Sequence, residues 1–119
     1  MAEHSRLICR SEDLQNAEAG VRFEVLWQGA MTPAFVVRHE GQVHAYLNRC
    51  GHVPVELDWQ HGEFFDFSKI YLICATHGAL YSPSNGHCLS GRCNGKGLQA
   101  LPVREQDGVV YLLTSESST

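Results

Sequence analysis

The alternation of apolar and polar positions along the chain is that of strands. Val21, Phe23, Val25 and Trp27 alternate with Arg22, Glu24 and Leu26, a period of two with one lapse at Leu26. That period puts one set of side chains on one face of a half-buried strand. Ala34 to Val37 is a short apolar run with β-branched residues, and Val43, Ala45 and Leu47 then alternate with His44, Tyr46 and Asn48. His39-Glu40-Gly41-Gln42 between them reads as a turn, so the two runs predict a hairpin. Ser68 to Cys74 is a buried strand by composition, with Ile70, Tyr71, Leu72 and Ile73. Leu101 to Arg104 and Val109 to Leu113 flank Glu105-Gln106-Asp107-Gly108, whose Asp-Gly is a strong hairpin signal. Only Ser11 to Ala19 has helical character, with Ser11 as the cap and Glu12 and Asp13 in the first turn. The fold class expected is all-β.

One stretch departs from this pattern. From Cys50 to about Gly97 glycine is dense, and four of the five cysteines and four of the seven histidines fall inside it. The two ends of the chain, about 1–45 and 98–119, are expected to build one β scaffold. Residues of about 46–97 are then a loop-rich subdomain inserted into it, the whole 119 residues forming a single domain. No internal repeat or low-complexity tract appears, and Ser115 to Thr119 is a polar tail.

The central stretch carries the chemistry. It contains Cys50-Gly51-His52 and, further on, Cys74-Ala75-Thr76-His77-Gly78. A Cys and a His two or three positions apart on a turn can face one ion or cluster together, and two such pairs make a four-ligand set. Glycines at 51 and 78 let the backbone approach closely. A zinc site of two cysteines and two histidines is usually built from one Cys–Cys pair followed by one His–His pair. Here each loop supplies one of each, which is a different arrangement.

The Cys-x-His and Cys-x-x-His order resembles the Rieske family, in which two cysteines bind one iron of a [2Fe–2S] cluster and two histidines bind the other. The resemblance continues: His77-Gly78-Ala79-Leu80-Tyr81 is similar to the family's His-Gly-x-x-Tyr/Phe segment. Ser82 to Cys88 is similar to its following turn, and Gly91 to Val103 to its glycine-rich third loop and return. It spans about residues 43 to 104. It implies an antiparallel β sandwich or barrel with an inserted cluster-binding subdomain. It also implies that Cys50 and Cys74 are thiolate ligands to the inner iron, and that His52 and His77 bind the outer iron near solvent. Two ferric ions, two sulfides, two thiolates and two neutral imidazoles then sum to zero, and to minus one after reduction. An all-cysteine cluster carries two more negative charges, so histidine ligation makes the electron easier to add. Loss of imidazole protons should couple reduction to pH in the alkaline range.

By resemblance to the ferredoxins of bacterial multicomponent oxygenases, the expected function is one-electron transfer from a flavoprotein reductase to a terminal oxygenase. No substrate is transformed on the chain itself, and a monomer is the expectation from size. Two other classes remain open: a tightly bound small subunit of a nitrite-reductase-like complex, and a structural zinc module or redox sensor.

Composition narrows the partners. Nine basic against thirteen acidic residues give a net charge of −4, which argues against nucleic acid. The start, Met1 to Arg6, has early charges and no apolar region behind it, so no targeting segment is expected. The longest apolar run, Ile70 to Ala75, is far short of the about 20 residues of a spanning helix. Five cysteines, an odd number, cannot all pair, which favours a reducing, cytoplasmic setting. Cys9, Cys88 and Cys93 are accordingly read as small buried hydrophobes. His39-Glu40-Gly41-Gln42-Val43-His44 places its second histidine one position too late for a zinc-protease helix, and Gly95-Lys96-Gly97 is too short for a phosphate loop. His4, His61 and His87 read as solvated, while Trp27 and Trp59 fit either core or docking surface.

Departures from the family pattern set an expectation for the potential. Val55 and Thr76 stand where respiratory-chain members have a pair of bridging cysteines, Arg92 where many members have proline, and Ala79 where those members have a serine bonded to a cluster sulfur. Tyr81 remains as a donor. Fewer hydrogen bonds to sulfur stabilise the reduced charge less. The midpoint is therefore expected in the lower part of the Rieske range, about −150 mV to 0 mV. A redox titration checks this, and a midpoint at the upper, quinol-oxidising end overturns it.

Overall fold

Three tight turns set the architecture. Gln28-Gly29, Glu40-Gly41 and Asp107-Gly108 each place two successive residues at positive φ, between 50 and 85°. This is the two-residue turn whose twist matches that of antiparallel strands, and glycine in the second position relieves its strain. The computed structural model describes residues 3–16, 18–49, 57–58, 62–66, 68–74, 78–90 and 97–115. Its strands are β1 (Glu3–Arg10), β2 (Val21–Trp27), β3 (Ala30–His39), β4 (Gln42–Leu47), β5 (Leu72–Ile73), β6 (Leu80–Tyr81), β7 (Cys88–Ser90), β8 (Ala100–Leu101), β9 (Val103–Gln106) and β10 (Val109–Ser115). They form three antiparallel sheets, in the orders β1-β10-β9, β2-β3-β4-β8 and β5-β6-β7. The all-β expectation holds.

The β2-β3-β4 sheet is buried on both faces where its strands are most apolar. On one face Val25, Ala34, Val36, Ala45 and Leu47 meet Cys9, Leu14, Leu101, Val110 and Leu112. On the other, Phe35, Val37 and Tyr46 meet Leu57, Phe64, Phe65, Leu72, Cys74, Ala79, Tyr81 and Leu98. Phe35 stacks on Phe64 with ring centroids 3.9 Å apart, and it contacts Tyr46 at 5.9 Å. This explains the uninterrupted run at 34–37, since a strand covered on both sides has no polar face. Cys9 lies in the first core, where burial and the nearby Asp13 push its thiol up to about 11.

The differences from expectation have local causes. The segment 101–104 is two strands rather than one: β8 pairs with β4, whereas β9 pairs with β10. Pro102 stands between them, and its carbonyl accepts a hydrogen bond from Leu113 N at 3.0 Å. Proline marks the corner where the chain passes from one sheet to the other. The strand expected over 68–74 is only Leu72–Ile73. Asp66 organises a loop before it, its Oδ1 accepting from Ser68 Oγ at 2.8 Å and its carbonyl from Lys69 N at 3.0 Å. Lys69 takes φ +65° and Ile70 is 53% exposed. A short acidic side chain offering local bonds has outcompeted the strand. The helical turn shrinks to a 3-10 turn at Ser11–Asp13 preceded by Arg10, whose backbone N–H donates to Asp13 Oδ2 at 3.0 Å. It ends because Leu14, 2% exposed, turns extended into the core.

Arg38 joins these parts. Its Nε donates to Leu14 O at 2.9 Å, Nη2 to Ser11 O at 3.3 Å and Nη1 to Gly41 O at 3.1 Å, and both Nη atoms bond the Glu105 carboxylate. These bonds hold Glu105 below its ordinary carboxylate value and raise Arg38 further. Among the described residues no helix is long and apolar enough to cross a membrane.

Replacing Arg38 by Met strands three carbonyls and a carboxylate, and R38M should lose about 3 kcal/mol of unfolding free energy. Glu105 is depressed in the fold, so its contribution is present above its ordinary pKa and fades as pH falls below it. E105Q should therefore flatten the acid limb of stability. Urea denaturation across pH 3–7 reads both, and an acid limb identical to that of the parent chain overturns the second expectation.

Candidate metal centre

Cys74 sits where β5 turns back into β6. Leu72 pairs with Tyr81 and Ile73 with Leu80, and beyond them the loop closes on itself. Cys74 N donates to Ala79 O at 2.9 Å, and Gly78 N to Cys74 O at 2.7 Å. Gly78 takes φ +71° with open space where a Cβ would stand, so its requirement is one of backbone conformation rather than room. Gly78 and Ala79 are thus both held to Cys74 by backbone bonds.

Cys74 is fully buried and not part of a disulfide. It shares its core with Phe35, Leu57, Phe64 and Tyr81. A buried, unbridged thiol fixed by backbone bonds fits the donor that an iron–sulfur centre requires, a shielded sulfur in a set position. Ala79, also fully buried, offers only a methyl group at the position where a hydroxyl donor was considered. Cys50, His52 and His77, the other three sequence-selected ligands, lie outside the described residues, as do Val55, Trp59, His61, Thr76, Arg92 and Cys93.

The entry to the first ligand loop is built from polar groups. Asn48 follows β4 and is 1% exposed. Its N–H donates to Pro33 O at 2.8 Å, and proline has no N–H to return the bond. The ladder ends there, and the chain leaves the sheet two residues before Cys50. The Asn48 side chain bridges across the loop: Oδ1 accepts from Leu57 N at 2.8 Å, and Nδ2 faces Asp58 Oδ1 at 3.4 Å. Asp58 Oδ2 in turn accepts from Gly62 N at 3.0 Å and lies 3.6 Å from Arg22 Nη1 on β2.

The turn after β6 is anchored by Tyr46. Its hydroxyl donates to Pro83 O at 2.7 Å, and burial pushes the phenol well above its ordinary value, so it stays a donor. Leu98 N donates to Gly86 O at 2.8 Å. Gly86 has φ +76°, and a Cβ there would lie 2.8 Å from the Tyr46 ring. Sequence reasoning passed over Asn48, Asp58 and Arg22. The available signal was Asn48, a polar residue ending an apolar strand directly before a candidate ligand.

Cys88 departs from its expected role. It is disulfide-bonded, half-buried at the start of β7 against the second core, and its partner lies outside the described residues. The reading of it as an unpaired small hydrophobe is therefore corrected: an odd number of cysteines forbids complete pairing, not one pair. His87 is exposed as expected, and Trp27 packs partly buried against the first core.

The geometry is that of a thiol-bearing hairpin loop held against an antiparallel β scaffold. The model of the Rieske [2Fe-2S] domain matches residues 4–109. The chain belongs to the Rieske [2Fe-2S] domain family, whose cofactor is a Rieske-type [2Fe–2S] cluster. No curated protein matches the chain. Among solved structures it is similar to the ferredoxin of carbazole 1,9a-dioxygenase from Nocardioides aromaticivorans IC177, with a TM-score of 0.73 at 19% identity over 93% of this chain and 98% of that one. A chain from a complex of reduced oxygenase and oxidized ferredoxin in carbazole 1,9a-dioxygenase matches with a TM-score of 0.69 at 23% identity, covering 91% of each. The terminal oxygenase of carbazole 1,9a-dioxygenase from Novosphingobium sp. KA1 matches with a TM-score of 0.70 at 27% identity, over 95% of this chain and 30% of that one.

Removing the Asn48 side chain leaves the buried Leu57 N–H without its acceptor. N48A should cost about 2 kcal/mol in chemical denaturation and lower the iron retained per chain. Parent-like values in both measurements overturn the assignment of Asn48 as the brace of this loop.

Proposed function

We propose that the chain is a one-electron carrier that passes electrons from a flavoprotein reductase to a terminal oxygenase. The observation that carries the reading is Cys74, a buried and unbridged thiol on a closed hairpin loop, inside a chain matched by the Rieske domain over residues 4–109. Cys50 and Cys74 supply the thiolates, and His52 and His77 the imidazoles. When bound, the cluster supplies a one-electron couple.

The chain's own residues hold it and limit its surroundings. The Cys74 loop is closed by two backbone bonds, and the apolar shell of Phe35, Leu57 and Phe64 keeps water from the sulfur side. A low-dielectric wall on one side and imidazoles on the other give a direction for electron exchange, through the histidine edge. The likeness to the carbazole dioxygenase ferredoxins supports an oxygenase as acceptor, and the chain divides on this reading into a base of about 1–45 and 98–119 and a cluster-binding part of about 46–97.

Purified protein should be red-brown, contain iron and acid-labile sulfide in equal amounts, and give a reduced-state EPR signal. C74A and H77A should lose the iron while retaining the β-sheet circular dichroism of the base. A colourless parent protein holding zinc overturns the reading. So does a loaded protein that a flavoprotein reductase reduces but no terminal oxygenase reoxidises.

A further inference from the structure

Resting on the Rieske reading, we infer that the Arg22–Asp58 ion pair beside the first ligand loop balances the charge felt by the redox centre, Arg22 compensating a buried carboxylate that the loop needs for its shape. Asp58 is only 3% exposed at its side chain, and Arg22 is 27% exposed. The carboxylate is used twice for architecture: Oδ2 accepts from Gly62 N at 3.0 Å and Oδ1 faces Asn48 Nδ2 at 3.4 Å. An anionic acceptor makes the stronger bond to such donors, which explains a carboxylate here rather than an amide.

The same carboxylate is linked, through Asn48 and through its chain neighbour Leu57, to the segments that carry Cys50 and Cys74. Its partner Asn48 is two residues before Cys50, which limits the Cα separation of those two to about 7 Å by chain length alone. Its neighbour Leu57 is buried in the core that contains Cys74. Reduction adds one negative charge at the centre, and a negative charge fixed in a poorly screened place opposes that addition. Arg22, with Nη1 3.6 Å from Asp58 Oδ2, offsets it. Each member of the pair then acts on the couple with opposite sign, and the loop keeps an anionic brace without its electrostatic effect.

Opposite signs are what a purely structural pair would not produce. Midpoints are measured by redox titration on the cluster-loaded full chain for the parent, R22Q, R22K and D58N. R22Q should disfavour reduction by two- to tenfold in the equilibrium constant, tenfold being about 59 mV for one electron. R22K, which keeps the charge, should stay within twofold of the parent. D58N should shift in the other direction, toward easier reduction. An R22Q midpoint within twofold of the parent or above it, R22Q and R22K moving alike, or a loaded D58N whose midpoint does not rise, each overturns the inference. Should D58N fail to retain iron, the two Arg22 variants decide alone. Absence of iron and sulfide from the parent protein would instead overturn the carrier reading, so the two failures are told apart in one experiment.

Discussion

The two-sided burial of β3 and β4 is the constraint on which the rest of the structure depends. A sheet with one wet face can support loops only along its edges and ends. Here Ala34 and Val36 face one core while Phe35 and Val37 face another, and Ala45 and Leu47 oppose Tyr46 in the same way. Residues between Leu57 and Tyr81 therefore cover Phe35 and Tyr46, and Phe64, Leu72 and Cys74 are buried against that same face. One core is built from residues 9–47 and 101–112 alone, whereas the core that contains Cys74 is closed by the sheet and the central segment together, so a segment with little regular structure holds a fixed shape against the sheet.

Burial alone does not set register, and polar groups do that at the junctions. Arg38 gathers the carbonyls of Ser11, Leu14 and Gly41 around one guanidinium. Tyr46 reaches from the base to Pro83, and Asn48 from the end of β4 to Leu57. Each is a long or amide side chain rooted on the central sheet whose polar end closes a loop carrying no ladder of its own. Buried groups satisfied in this way are costly to leave unpaired, so they select one loop conformation over near alternatives. A redox centre gains from such rigidity, because ligands that are already in place need little rearrangement when charge changes.

The environment of the centre follows from the same layout. Phe35 and Phe64 share the core around Cys74, Ala79 offers no hydroxyl there, and Tyr81 in the same core carries one. Among the described residues, the Arg22–Asp58 pair places charge at the entrance of the loop that follows β4.

Much was legible in the amino-acid order. The alternation in 21–27, the run at 34–37 and the Asp107-Gly108 turn fixed the class and the hairpins, because strand period and turn chemistry are local properties of the backbone. The two Cys/His pairs pointed to the family because the spacing of such residues on a loop is also local. Other features needed the folded chain. The strand at 72–73 was shortened by Asp66, Pro102 divided 101–104 between two sheets, and Cys88 entered a disulfide that counting cysteines did not reveal. Most hidden were Arg22 and Asp58, far apart in sequence and unremarked by any motif. Their meeting depends on which strand lies beside which loop, and hydrogen bonds between distant residues leave no period in the sequence from which to read them.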